Sequence, residues 1–349
     1  MRNQLQEPVM NQSTTQMRAI VHDTYGSAEV LRLASIPRPG AADLADDEVL
    51  LRVHAAGLDR GTWHLMTGLP YLGRLAFGLR RPRNPVPGLD VAGTVVAVGG
   101  AVTRFAAGDE VFGVGKGTFA EYAVAREDKL ARKPSRLGLE QAAVVPVSAS
   151  TALQAVSDHG RLKPGQTVLV IGASGGVGSY AVQLAKALGA AEVTGVASTS
   201  KLDLVRSLGA DRVIDYTRED FTGDAFIRGG GRYDVVFDLV GNRSLADCRR
   251  ALTPSGTLVL SGGGVSGGGS LFGPIGLIAR GRLVSRFIRH RVLTLTAVPS
   301  GENLATLREL VESGAVTPVI DRTFPLGDAA EAVRYLELEH ARAKVVITV

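Results

Sequence analysis

Residues 171–178 read IGASGGVG, and residues 196–201 read VASTSK. Gly172, Gly175 and Gly178 give the spacing G-x-x-G-x-x-G, with Ser174, Gly176 and Val177 completing the turn. Glycine admits positive φ and lets a backbone approach a pyrophosphate with no Cβ in the way. A helix starting near Val177 would aim free N–H groups and the positive end of its dipole at those phosphates. A glycine-rich turn without a ligand is the bland alternative. The strand predicted before it, the helix after it and a second strand at the right distance favour a dinucleotide site.

The second strand, AEVTGVA, ends where an adenosine ribose would lie. An acid there would accept hydrogen bonds from both ribose hydroxyls of NAD and repel the 2′-phosphate of NADP. The chain instead offers Ser198, Thr199 and Lys201, and Tyr216 follows the third strand. Hydroxyls and a cation suit a doubly charged phosphate, so these residues predict NADPH as cofactor. Ser198 is equally placed to cap the helix SKLDLVRSLG, and the two roles are compatible.

Chemistry of other kinds finds few candidates. Cys248 is the single cysteine, so no disulfide forms within the chain and no Cys-rich zinc site is possible. His22, His54, His64, His159, His290 and His340 show no metal-ligand spacing.

Two kinds of element must position the loop. From Met17 to about Val147 the pattern is short strands such as RAIVH, EVLLRVHAAG, AGTVVAVGG, DEVFGVG and FAEYAVA, separated by Gly, Pro and Asp. That spacing predicts a small barrel-like or sandwich-like β unit. After Pro146 the texture changes. SASTALQAVSDHG has helical spacing and ends at Gly160; TVLVI is a continuous apolar run suited to a buried parallel strand. Helices then alternate with the strands AEVTGVA, DRVIDY, YDVVFDLV and GTLVLSG. Alternation predicts a doubly wound α/β sheet. The last sixty or so residues carry two amphipathic helices and a terminal strand, AKVVITV.

At 349 residues, two domains are expected. Apolar residues make up 45% and charged residues 21%, which excludes global disorder. The net charge of +5 suits an anionic ligand, but no basic run with interleaved aromatics points to nucleic acid. Basic clusters at 74–83 and 280–291 read as solvated surface or partner-facing loops. No apolar run is long enough to span a bilayer, and the polar first sixteen residues lack a signal-peptide core. A soluble, cytoplasmic protein with a disordered extension over 1–16 is expected.

The stretch PVPGLDVAGTVVAVGGAVTRFAAGDEVFG at 85–113, with QAAVVPVSASTALQA, VIGASGGVG and LGADRVIDYT, resembles the medium-chain dehydrogenase/reductase superfamily. The zinc-independent quinone oxidoreductase (zeta-crystallin-like) branch fits best, over nearly all of 17–349. The resemblance implies a GroES-like β-barrel catalytic domain over 17–147, completed by 296–349, and a Rossmann NADP-binding domain over 148–295. Zinc-dependent members carry Cys, Gly-His-Glu and Cys at their catalytic metal positions. Here those read Asp59, Gly88-Leu89-Asp90 and the cysteine-free VSAST, so no metal is expected.

Without a Lewis acid, quinones and α,β-unsaturated carbonyls are the expected acceptors, because conjugation delocalises the charge that hydride leaves. An alcohol/aldehyde dehydrogenase or enoyl-thioester reductase is the alternative activity. A non-catalytic NADPH-binding protein is the alternative of another class. The resemblance places Asp59, where related reductases have Asn, beside the nicotinamide; a turn-stabilising role before Gly61 is the competing reading. Thr151 borders the nicotinamide end, or serves the helix. Tyr71 is the first candidate donor to a developing oxyanion, and Trp63 and Phe77 either stack on an acceptor or anchor a lid. Val240, Ser261 and Lys344 follow the family's cofactor path, with Ala343 replacing a customary Gly. An edge strand near RHRVLTLTAV implies a homodimer.

Overall fold

A computed structural model describes residues 15–261, 289–295, 297–338 and 341–349. Residues 1–14 of the expected extension, the glycine loop following Ser261, positions 280–288 of the second basic cluster and His340 lie outside the described residues. Gln16 already belongs to a strand, and the Thr15 carbonyl accepts from Arg38 N, so the first sheet takes in residues 15 and 16 that the sequence assigned to the extension.

The first half is β-rich. β1 (Gln16–Val21) and β2 (Arg32–Pro37) form an antiparallel pair. β3 (Glu48–Leu58), β4 (Asp90–Val98), β5 (Glu110–Val114), β6 (Tyr122–Arg126) and β7 (Leu130–Arg132) follow. β3 is eleven residues long and serves three neighbours. Its start pairs with β6 and its end with the terminal strand, while β4 runs along most of its length. Register shifts at Leu50/Leu51 and Val53/Ala55 bend it enough to do so. Short helices α1 (Arg60–Thr67) and α2 (Arg74–Phe77) occupy the connection from β3 to β4.

α3 (Leu139–Ala143) and α4 (Pro146–Gln154) lead into the second half. The helix expected to reach Gly160 is α-helical only to Gln154. A π-turn follows, closed by Gly160 N donating to Ala155 O at 2.7 Å. Then come β8 (Thr167–Ile171), α5 (Gly176–Ala187), β9 (Glu192–Ala197), α6 (Leu202–Ser207), β10 (Arg212–Asp215), α7 (Asp224–Arg228), β11 (Tyr233–Asp238), α8 (Leu245–Arg250), β12 (Leu252–Ser261) and β13 (Arg291–Leu295). The six strands form one parallel sheet in the order β10-β9-β8-β11-β12-β13. Strand order reverses at β8, between β9 and β11, so a crevice opens at its carboxyl end.

The chain then returns to the first sheet. β14 (Ile320–Pro325) pairs parallel with β15 (Lys344–Thr348), and β15 pairs antiparallel with the end of β3. One core runs between the sheets: Phe112, Val144 and Val346 pack with α4, Tyr180, Val168 and Phe237. α4 is buried on nearly every side, which is why its apolar pattern is weak and its hydroxyls must find partners indoors.

At the turn into β15, Ala343 has φ of +58° and is buried. A residue with a Cβ is disfavoured there by about 1–2 kcal/mol, and glycine is not. Ala343→Gly is expected to raise stability by about 0.5–1 kcal/mol after its unfolded-state entropy is allowed for, as an increased urea midpoint at unchanged m-value.

Candidate cofactor and acceptor site

The glycine loop leaves β8 at Ile171 and crosses the end of β9. Gly172 N and Ala173 N both donate to Val196 O, at 3.2 and 3.1 Å. Gly172 has φ of +83°, and a Cβ on it would lie 2.7 Å from Val240 Cγ2. A Cβ on Gly178 would lie 2.1 Å from the Gly172 carbonyl oxygen. Both glycines are therefore required by the backbone itself. Gly175 caps α5, and the N–H groups of Gly176, Val177 and Gly178 in the first turn have no intrahelical acceptor. The cradle fits a dinucleotide pyrophosphate. Val240 closes its far side, in a turn held by Asp238, whose carboxylate accepts from Val240 N and Gly241 N.

The C-terminal segment clamps the loop from below. Ala343 N donates to the Ser174 carbonyl at 2.8 Å. Lys344 is buried behind it, and a Cβ on Gly176 would lie 3.3 Å from Lys344 Cδ.

Ser198, Thr199, Lys201 and Tyr216 come together at the carboxyl ends of β9 and β10. Ser198 sits at the N-cap of the turn Thr199–Lys201, but its side chain makes no capping bond. Thr199 Oγ1 donates to Asp215 Oδ2 at 2.5 Å. Asp215 also accepts from Thr217 N and Oγ1, and these hydroxyl bonds hold its carboxyl below the usual range. Lys201 Nζ donates to Ala341 O at 3.3 Å; burial lowers its pKa, and Asp321 partly offsets that. Tyr216 is exposed. Asp215 and Ala341 were not legible as site components, since nothing local distinguishes them. Ser261 ends β12, on the same parallel sheet.

At the other end, Asp59 is the N-cap of α1: its Oδ1 accepts from Thr62 N at 2.7 Å. The turn-stabilising role is thus real. Asp59 Oδ2, however, is buried with no partner among the described residues, as are Thr62 Oγ1 and Ser150 Oγ. Asp90 opens β4 and is fully buried. Its Oδ1 accepts from Val147 N at 2.8 Å, and its Oδ2 faces Lys344 Nζ at 3.4 Å. Lys344 Nζ also donates to Ser148 Oγ at 2.9 Å. Burial outweighs the lysine, Asp59 adds repulsion, and Asp90 is pushed up to about 8. The pairing of Asp90 and Ser148 with Lys344 escaped the sequence reading because that partner is 254 and 196 residues away.

Thr151 Oγ1 donates back to Val147 O inside α4, so it does not cap that helix. Trp63 Nε1 donates to Glu337 Oε1 at 2.5 Å, which makes it an anchor between α1 and the helix Ala329–Leu338. Tyr71 is 42% exposed, with Arg74 above its ring at 4.8 Å. Among the described residues, no three His, Cys, Asp or Glu side chains converge as a metal site.

Comparison with known proteins agrees with this geometry. Residues 45–135 match the family model described as alcohol dehydrogenase GroES-like domain, and residues 208–347 match that described as zinc-binding dehydrogenase. The chain is 35% identical to a 2-methylene-furan-3-one reductase of Solanum lycopersicum, over 95% of this chain and 79% of the relative. It is 33% identical to a chloroplastic quinone oxidoreductase of Triphysaria versicolor, over 95% and 98%. The quinone oxidoreductase structure of Escherichia coli complexed with NADPH superposes with a TM-score of 0.79 at 26% identity, covering 95% of this chain and all of that one. The protein is a nicotinamide-dependent oxidoreductase with a GroES-like and a Rossmann-type part. It belongs to the medium-chain dehydrogenase/reductase superfamily, in the quinone oxidoreductase branch.

Gly178→Ala forces a Cβ into the Gly172 carbonyl and is expected to weaken cofactor binding at least about 100-fold, read by nucleotide fluorescence titration. Asp90 supplies a pH signature. Its folded pKa is raised from 3.8 to about 8, so the native state keeps a proton the unfolded state releases. The stability this confers is fully present below 3.8 and is lost as pH rises to about 8, with a limiting slope of about 1.4 kcal/mol per pH unit. Asp90→Asn is expected to remove that component from urea-unfolding curves taken across the window.

Proposed function

We propose that the protein reduces quinones or α,β-unsaturated carbonyls with NADPH. The observation that carries the cofactor choice is the pairing of Ser198 with a half-buried Lys201 where an acid would mark NAD. The relatives named as an NADPH-dependent alkenal/one oxidoreductase, of Arabidopsis thaliana, and as quinone oxidoreductases support the acceptor class.

The donor chemistry supports it too. Asp59 binds a helix N–H, Leu89 cannot ligate, and Asp90 is engaged by Lys344 and Val147. That set does not suit zinc, which takes three protein ligands in a catalytic site. A conjugated acceptor does not need a metal to polarise it. NADPH supplies hydride from the nicotinamide. The protein's own work is then binding and orientation: the glycine cradle and α5 hold the pyrophosphate, Lys201 and Ser198 hold the 2′-phosphate, and Val240 and Thr151 border the nicotinamide. Asp59 Oδ2, buried and without a partner among the described residues, stands at the acceptor end, where it handles the proton, with Tyr71 as second candidate. Edge strand β13 has a strand neighbour on one side only among the described residues, which supports a homodimer paired across a two-fold axis.

A panel of 1,4-benzoquinone, an enal, a simple ketone and an enoyl-CoA, run with both nicotinamides, tests the reading. Turnover is expected with the first two and NADPH; equal efficiency with NADH overturns the cofactor assignment. Lys201→Ala is expected to raise the KM for NADPH about 10- to 100-fold and leave that for NADH nearly unchanged, the loss of one charge-assisted bond. Asp59→Asn keeps the helix cap, so a fall in kcat of about 100-fold at unchanged melting temperature is expected if Oδ2 handles a proton.

A further inference from the structure

Between Asp59 and Asp90 the chain has no carboxylate, yet it carries Arg60, Arg74, Arg80, Arg81 and Arg83. Nine large apolar side chains stand exposed among the described residues, and four of them fall within nine positions of this stretch: Tyr71, Leu72, Leu75 and Leu79. Leu75 is 64% exposed and Leu79 is 68%. Single exposed leucines are ordinary, but a cluster marks a contact surface.

Their exposure is built in. Tyr25 OH donates to the Gly78 carbonyl at 2.5 Å, and the Arg74 guanidinium lies 4.4 Å over the Tyr25 ring. Arg74 Nε donates to Gly68 O, and Arg83 N donates to Phe77 O. These bonds fasten the segment to the body and leave the leucines outside. Arg80, Arg81 and Arg83 are exposed and have no ion-pair partner among the described residues. A merely solvated face would not place leucines beside them.

We propose that this segment docks the protein on an anionic lipid bilayer. Leu72, Leu75 and Leu79 enter the headgroup boundary, and the three unpaired arginines pair with lipid phosphates. The charge argues for the occupant: three exposed, unpaired arginines in a thirty-residue stretch with no acid complement an anionic surface and no neutral one. No helix among the described residues is long and apolar enough to cross a membrane, so the contact is peripheral. The proposal does not depend on which acceptor is reduced.

The test is co-sedimentation of the full chain with vesicles of phosphatidylcholine alone or mixed with phosphatidylglycerol. Binding is expected only to the mixed vesicles, with release in about 1 M salt, where the Debye length is about 3 Å. Each arginine near such a surface contributes about a fivefold gain in partitioning, so the triple change Arg80→Gln, Arg81→Gln, Arg83→Gln is expected to weaken binding about 100-fold. The double change Leu75→Asp, Leu79→Asp is expected to abolish it. Both variants alter exposed positions and should keep the parent's melting temperature and its turnover of a water-soluble acceptor. Absence of binding, equal binding to phosphatidylcholine alone, or unchanged binding by both variants overturns the proposal. So does a dimer that dissociates in the leucine variant while vesicles make no difference, which would make a second copy the occupant. A leucine variant that changes only the KM for soluble acceptor also overturns it, by making the patch part of the acceptor cleft.

Discussion

Lys344 and Asp90 are buried together, at 1% and 0% side-chain exposure, with Nζ and Oδ2 3.4 Å apart. The ammonium needs acceptors indoors and the carboxyl, protonated up to about pH 8, needs hydrogen-bond partners, because an unpaired buried polar or charged group costs several kcal/mol. Their coexistence requires four segments to meet: β15 supplies the lysine, β4 the aspartate, and the start of α4 both the Ser148 hydroxyl and the Val147 N–H. The fourth, α5, lays its first turn over the lysine stem. The pair thus sits where the returning C-terminal strand, the first sheet and the glycine loop are joined. Its geometry leaves room for little movement among them.

That junction explains why the cofactor cradle is preorganised. The Ser174 carbonyl is bound by Ala343 N, the residue immediately before the lysine, and Ala341 O receives Lys201. One three-residue stretch of the C-terminal return, 341–343, therefore touches both the glycine loop and the Ser198–Lys201 turn. The left-handed φ of Ala343 is the local strain that this reach requires. Rigid donors aimed at an anion before it arrives cost no reorganisation when it binds.

The surroundings of Asp59 are built on the opposite principle. Asp59, Thr62 and Ser150 each leave a buried oxygen without a partner among the described residues, next to a network where Asp90 and Lys344 are satisfied. Unsatisfied buried oxygens cost stability, and they concentrate where a bound molecule is to complete the hydrogen bonding. Asp59 combines both tasks: one oxygen holds the start of α1 and the other is left over.

The sequence by itself determined the parallel sheet and the glycine cradle. Gly172, Gly175 and Gly178 lie within seven residues, between an apolar strand and a helix, so local spacing alone specifies the loop. The strands before Pro146 and the helix α5 were legible for the same reason, and so was the run Ser198–Lys201. The tertiary structure alone decided what these residues touch. Thr199 faces Asp215, Lys201 reaches Ala341, Trp63 binds Glu337, and Lys344 meets Asp90. Every one of those partners is separated from its mate by at least sixteen residues, and no periodicity of 2 or 3.6 encodes such a meeting. Burial did the rest: the same aspartate on a surface turn would be an ordinary carboxylate, whereas buried against α4 and β15 it holds its proton to about pH 8.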